Sequence, residues 1–219
     1  NKRQTLKQML LTVVDYGVGN LRSIAKSIEK ANAENNLNYT VKISSDLSEI
    51  RKADKLVLPG QGSFKACREG IKNIKDLNEE LNESVMSKKK PVYGICAGMQ
   101  LFGTTGYEDE ETKGLNWIEG DVIKINPGKT CLKIPHMGWN ELNIKNSSKV
   151  FQNVEEKSHA YFIHSYEFVP KDKKVVSLST NYGKEIVAAV CSENIYGSQF
   201  HPEKSQETGI KILTSFLKI

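Results

Sequence analysis

A cysteine framed by glycines, Gly94-Ile95-Cys96-Ala97-Gly98, is the segment with the clearest chemical content. The apolar run 91–95 leads into it and the helical stretch 97–102 leaves it. A buried strand is therefore expected to turn sharply into a helix at Cys96. This is the glycine-x-nucleophile-x-glycine elbow with cysteine in the serine position. The glycines permit a strained turn and close backbone approach. Such a turn exposes its side chain at the end of a sheet, and the helix N-terminus behind it favours the thiolate. A thiolate at neutral pH is a ready nucleophile. The plain alternative, a buried core cysteine in a strand-to-helix turn, fits poorly with glycine on both sides.

A thiolate needs a base, and the base an orienting acid. The segment Gly197-Ser198-Gln199-Phe200-His201-Pro202-Glu203 offers both. Glu203 lies two residues past His201, so in extended backbone the two side chains leave on the same face. Pro202 biases His201 toward that geometry. A carboxylate there fixes the imidazole tautomer. Alone, the His-Pro-Glu run is as readily a structural turn; beside the elbow it completes a Cys-His-Glu set. Pro59-Gly60-Gln61-Gly62-Ser63-Phe64 follows another strand, and a glycine-rich turn can aim backbone N–H groups at an oxyanion. The lysine-bearing phosphate-loop pattern is absent, and Gly17-Val18-Gly19 carries only two glycines of a dinucleotide fingerprint. His136, His159 and His164 have no common metal spacing and no carboxylate cluster beside them, so neither a metal nor a cofactor is expected.

The elements that must hold these groups alternate in the first half. Strands are expected at Met9–Val14, 39–43, Lys55–Leu58 and 91–95, with helices at 21–33 and 64–86 and one starting at 97. That alternation predicts a parallel sheet with helices on both faces. The second half reads as short strands at 122–125, 142–144, 161–169, 175–179, 186–190 and 195–199, joined by turn residues and suited to antiparallel hairpins. A helix at 209–217 closes the chain. Lys88-Lys89-Lys90 reads as a solvated turn. No linker separates the halves, so a single mixed α/β domain over 1–219 is expected.

Composition narrows the class. The 219 residues are 38% hydrophobic, with 31 Lys plus Arg against 26 Asp plus Glu and a net charge of +5. The arginines are Arg3, Arg22, Arg51 and Arg68 alone, too few for a reader of guanine and phosphate, so no nucleic-acid partner is expected. No apolar run approaches the ~20 residues that span a bilayer, and no apolar segment backs the polar N-terminus as in a secretory signal. A soluble cytoplasmic protein is the expectation, with no membrane partner. Cys67, Cys96, Cys131 and Cys191 have no knuckle spacing and are expected as thiols, each by default a small buried apolar residue.

The elbow, the Pro-Gly-x-Gly loop and the His-Pro-Glu tail resemble the class I (triad) glutamine amidotransferases. Asp15-Tyr16-Gly17-Val18-Gly19-Asn20, Pro135-His136-Met137-Gly138-Trp139-Asn140, Tyr161-Phe162-Ile163-His164-Ser165-Tyr166 and Gln199–Ser205 narrow the resemblance to the glutaminase subunits of imidazole glycerol phosphate synthase, from about residue 9 to 219. The resemblance implies a flavodoxin-like domain with a central, mostly parallel sheet and a small antiparallel sheet in the second half. It implies hydrolysis of glutamine to glutamate and ammonia, passed through a (β/α)8-barrel cyclase subunit in a heterodimer for histidine biosynthesis. Cyclase ligands would stimulate the glutaminase. Carried over by position, Cys96 is the nucleophile, His201 the acid and base, and Glu203 its orienter. The backbone of Ala97 and the Gly60-Gln61 peptide, in the loop with Gly62, would form the oxyanion hole, the latter after rotating. Gln100 and Glu108 would contact glutamine, and the backbone of Ser165 and Tyr166 would hold its carboxylate. Asn20, Trp139, Tyr161 and Lys204 would face the cyclase; read without the motif, Trp139 and Tyr161 are ordinary core aromatics. Gln61 stands where valine is common and Ala97 where leucine or valine is, but both roles are backbone roles. Residues 1–8 extend beyond the usual start.

Overall fold

The computed structural model describes residues 7–219, so most of the extension at 1–8 lies outside the described residues. The first half runs β1 (Met9–Val14), α1 (Leu21–Glu34), β2 (Tyr39–Ser44), α2 (Leu47–Lys52), β3 (Lys55–Leu58), α3 (Phe64–Asn73), α4 (Leu77–Asn82), β4 (Val92–Ile95) and α5 (Ala97–Gln100). The second half runs β5 (Thr105–Gly106), β6 (Thr112–Lys113), β7 (Gly120–Lys124), β8 (His136–Glu141), β9 (Asn143–Ile144), β10 (His159–His164), β11 (Tyr166–Pro170), β12 (Val176–Asn181), β13 (Glu185–Ser192), β14 (Ile195–Ser198) and α6 (Gln206–Lys218).

One eight-stranded sheet organises the chain, in the order β2-β1-β3-β4-β14-β13-β12-β9. The first five pair in parallel and the last three antiparallel. The antiparallel strands thus extend the central sheet, while β8 with β10, and β11-β7-β5-β6, form two small sheets. Strand alternation divides the core. Val13, Val57, Tyr93 and Ile95 point to the side covered by α1 and α6, where Ile24, Ile28, Ile212 and Phe216 pack. Val14, Leu56, Leu58 and Val92 point to the other side, under Ile50, Cys67, Ile71 and Leu81 of α2, α3 and α4. Covered on both faces, β3 and β4 are buried throughout, which explains the apolar runs at 56–58 and 92–95; Lys55 at the start of β3 is buried with its ammonium donating to the Phe216, Leu217 and Ile219 carbonyls.

Three expectations need correction. The helix expected over 64–86 is broken: Ile74 is extended, Asp76 adopts φ 63°, and a π-helical turn spans Glu83–Ser87. Ile71, Leu77, Leu81 and Val85 stay buried across the break, so the apolar pattern hides it. The strand expected over 161–169 is two strands in different sheets, parted at Ser165. Cys131 is exposed and Cys191 half-buried, where both were expected to be buried. The short α2 and the strand β8 were not legible as separate elements.

Two close approaches fix the C-terminal end of the parallel strands. A Cβ on Gly98 would lie 2.0 Å from the Leu58 carbonyl oxygen, so the helix after β4 rests directly on the end of β3. A Cβ on Gly209 would lie 1.8 Å from the Pro202 carbonyl oxygen, so α6 packs hard against the turn after β14. Among the described residues, no helix is long and apolar enough to cross a membrane.

Candidate active site

Cys96 sits at the C-terminal end of β4 with φ 54° and ψ −115°. This left-handed conformation is costly for a residue with a Cβ and marks an imposed geometry. It is held from both sides: the Cys96 N–H donates to the Ser198 carbonyl on β14 (2.8 Å), and its carbonyl accepts from Gln100 N (3.2 Å). The helix behind it, α5, is a single turn rather than the longer helix expected. Cys96 is 9% exposed and lines a cavity.

His201 reaches that cavity from the end of β14, the strand next to β4 in the sheet. Its backbone is extended at φ −95° and ψ 104°, as the following proline requires. Beyond it the chain does not stay extended: Pro202–Lys204 forms a 3-10 turn. The turn still brings Glu203 Oε1 to 2.7 Å from His201 Nδ1, with both side chains nearly out of solvent. Proline at the first position supplies a preset φ and no donor to satisfy, so the turn forms without loss. Burial disfavours the charged ring, but the side-chain interactions with Cys96 and Glu203 outweigh it and raise His201 to about 10. The imidazole is thus held with a proton on both nitrogens beside the Cys96 sulfur.

The loop after β3 closes the near wall. Gly60 is buried against the elbow, where an added Cβ would meet Gly98 N at 2.2 Å. Gln61 and Gly62 continue into the cavity wall. The Gln61 carbonyl accepts from the Cys67 thiol at 3.6 Å, and the Tyr16 hydroxyl donates to the Pro59 carbonyl. Burial pushes the Cys67 thiol up to about 11, so it stays a donor.

The cavity holds about 290 Å³ and is lined by Gln61, Gly62, Cys96, Ala97, Gln100, Glu108, Ser165, Tyr166 and His201, together with Pro135, Ile163 and His164. That volume suits a ligand near the small end of the pocket range. The expected substrate residues converge on it, except Gly60, which lies behind the wall. Glu108 accepts from Phe64 N at 2.9 Å, capping α3 while facing the cavity. The last three lining residues were not assigned from sequence, although all three lie in quoted motifs. His136 and His164 hydrogen-bond each other at 2.9 Å, and His159 is exposed. Among the described residues no three His, Cys, Asp or Glu are placed to hold a metal ion.

A second face lies behind the triad. Trp139 on β8 and Tyr161 on β10 are directly paired across the ladder and meet edge to face at 5.9 Å. Lys204 sets its ammonium 5.8 Å from the Tyr161 ring centroid. Trp139 is 49% exposed and Met137 63%, so this is a surface, and the core-aromatic reading of Trp139 does not hold. A narrow crevice is lined by Asn20, Gly60, Gln61, His201, Glu203 and Lys204.

Known proteins match this arrangement over almost the whole chain. Residues 12–219 fit the family model described as Glutamine amidotransferase class-I. The imidazole glycerol phosphate synthase subunit HisH of Pelagibacter ubique is 50% identical over 96% of this chain and 100% of its own length. The HisH subunit of Rhodopseudomonas palustris is 42% identical over 96% and 99%. Among solved structures, a glutamine amidotransferase superposes with TM-score 0.68 at 15% identity, covering 95% of this chain and 99% of that one. The acivicin-bound glutaminase domain of CTPS from Trypanosoma brucei superposes with TM-score 0.63 at 15% identity, over 96% and 94%. At that identity the two structures speak for the fold.

Proposed function

The chain belongs to the class I glutamine amidotransferases and, within them, to the HisH subunits of imidazole glycerol phosphate synthase; from that premise we propose that Cys96, His201 and Glu203 hydrolyse glutamine and that the ammonia serves a (β/α)8-barrel cyclase subunit of the same synthase. The observation that carries this reading is the convergence of Cys96 and a Glu203-held His201 on one amino-acid-sized cavity.

The Cys96 sulfur attacks the side-chain amide carbon and a C–S bond forms. The resulting oxyanion is met by the Ala97 N–H, at the first position of α5, and by the Gly60-Gln61 peptide. His201 gives its Nε2 proton to the amide nitrogen, the C–N bond breaks and ammonia leaves as a thioester forms. Water then loses a proton to His201 and attacks the thioester; the C–S bond breaks, releasing glutamate and the thiolate. Glu203 holds Nδ1–H throughout and so keeps Nε2 aimed at the sulfur. Gln100, Glu108 and the Ser165–Tyr166 backbone orient glutamine in the cavity.

The crevice between Asn20 and Lys204 is the exit for ammonia, and the Met137–Trp139–Tyr161 face is where the cyclase seats. Exposed aromatic and methionine side chains with a nearby lysine form the kind of surface that partners bury. Ser205 ties the two functions: its hydroxyl donates to the His201 carbonyl (2.6 Å) and accepts from Tyr161 N (3.0 Å). A partner seated on Tyr161 therefore bears on the backbone that carries the base.

The test is glutamate release from glutamine by the chain alone, then with its cognate cyclase subunit, then with the cyclase ligand added. The expected result is a low basal rate that rises at each step. No release in any of the three conditions would overturn the reading.

A further inference from the structure

Gln199 has no role in the mechanism above, yet its side-chain nitrogen lies 3.6 Å from the Cys96 sulfur. It is fully buried, one residue beyond β14, with its own N–H donating to the Ala188 carbonyl at 2.8 Å. The orientation of its amide follows from which neighbours can only accept. The Tyr166 carbonyl is such a group. Two donors converge on it: His164 Nδ1 at 2.8 Å and Gln100 Nε2 at 3.0 Å. The Gln100 nitrogen is therefore fixed, and its remaining N–H meets Gln199 at 2.9 Å. Gln199 must answer with its oxygen, which leaves its NH₂ facing the sulfur.

The same logic orders the histidines. His164 spends Nδ1–H on Tyr166, so its Nε2 accepts from His136 Nδ1 at 2.9 Å. His136 Nε2 in turn accepts from the Asn140 amide at 3.1 Å. Burial lowers His136 to about 4 and His164 to about 3, so both rings stay neutral and the order of donors is kept at working pH.

We infer that Gln199 is a further catalytic residue, which donates a hydrogen bond to the Cys96 sulfur and favours the thiolate over the thiol. A donor gains more from a charged acceptor than from a neutral one, so the contact strengthens as the thiol ionises. It strengthens again when the thioester breaks and returns charge to sulfur. Gln100 is the positioning residue for this contact, because it holds the amide the right way round. The inference rests on Cys96 being the nucleophile.

The experiment follows the pH dependence of Cys96 alkylation by iodoacetamide on the full chain, resolved by peptide mass spectrometry because four cysteines are present. Gln199→Met keeps the volume and removes the donor; Gln199→Glu keeps the bond from Gln100 and puts an acceptor at the sulfur. Either substitution should move the half-maximal pH of alkylation up by about one unit, equivalent to about a tenfold change in the ionisation equilibrium. It should lower kcat about tenfold with KM little changed. An unshifted profile in a folded variant overturns the inference. The amide proton resonances of Gln199, in a chain that keeps it, give a second readout: replacing Cys96 by alanine should move them upfield, and unmoved resonances also overturn it. Failure of the underlying reading looks different, since alkylation of Cys96 in the parent would then leave glutaminase activity intact.

Discussion

His201 Nδ1 and Glu203 Oε1 lie 2.7 Å apart with their side chains 8% and 2% exposed, so the carboxylate holds one ring proton and leaves the other for the sulfur. The pair fixes how the protein responds to pH. Burial opposes the imidazolium, and the interactions with Cys96 and Glu203 prevail, raising His201 from 6.5 to about 10. A raised pKa in the folded state adds stability that is full below the unfolded value and is lost as pH climbs through the folded one. Stability from this group should hold below about pH 6.5 and decline toward pH 10. NMR titration of His201 should give a midpoint near 10, falling toward 6.5 in Glu203→Gln; a midpoint unmoved by that substitution would count against the pairing.

Replacing the nucleophile should separate chemistry from folding. Cys96→Ser is expected to reduce glutamate release by at least ~10³-fold, because a serine hydroxyl in this site lacks the acidity of the thiol. Thermal unfolding should change by less than about 1 kcal/mol, since the volume change is small. Stopped assays with the cyclase subunit present check the first point and calorimetry the second.

The elbow tolerates no side chain on its second glycine. Gly98→Ala places a methyl 2.0 Å from a backbone oxygen that has no rotamer to change. The expected cost is about 3 kcal/mol, read as a lower urea midpoint with an unchanged slope. Unchanged stability would mean that α5 moves off β3 more readily than the packing implies.

Glu108 is expected to show a double effect. It accepts from Phe64 N at 2.9 Å and lines the cavity, so Glu108→Gln should weaken both roles. Loss of the charge at the start of α3 costs about 1 kcal/mol of stability. Loss of the contact to substrate should raise KM for glutamine about tenfold with a smaller change in kcat.

The exposed hairpin face gives the opposite pattern. Trp139→Ala and Lys204→Ala should leave the unfolding of the isolated chain within about 0.5 kcal/mol, because both side chains are largely in solvent. Binding of the cyclase subunit should weaken by about tenfold to a hundredfold, the range for a central aromatic anchor. Sedimentation or native mass spectrometry of the mixture reads this directly.

The sequence was most legible where one local rule sufficed. Gly94, Gly98 and Cys96 announce the elbow because a side chain at either glycine would strike its neighbours. The buried runs of β1, β3 and β4 announce a parallel sheet. Less legible were features set by distant partners. The break at Ile74–Asp76 carries neither glycine nor proline, and the apolar period runs through it. The parting at Ser165 is invisible because β10 and β11 follow one another with a single residue between them and part only in the sheet each joins. The contact of Gln199 with Cys96 spans 103 positions and depends on β14 entering beside β4, which no local pattern records.

That late entry of β14 has a consequence for the growing chain. The strand leading to Cys96 is the fourth of the central sheet to be made, but its neighbour on one side is the last strand of all. Such pairing closes a long loop and is slow relative to hairpin formation. During synthesis Cys96 therefore emerges well before Gln199, His201 and the turn that packs against Gly209 of α6. A nascent or C-terminally clipped chain therefore lacks the neighbours of Cys96 that β14 and the turn after it bring, and the cavity of the whole domain closes only with the final stretch of polypeptide.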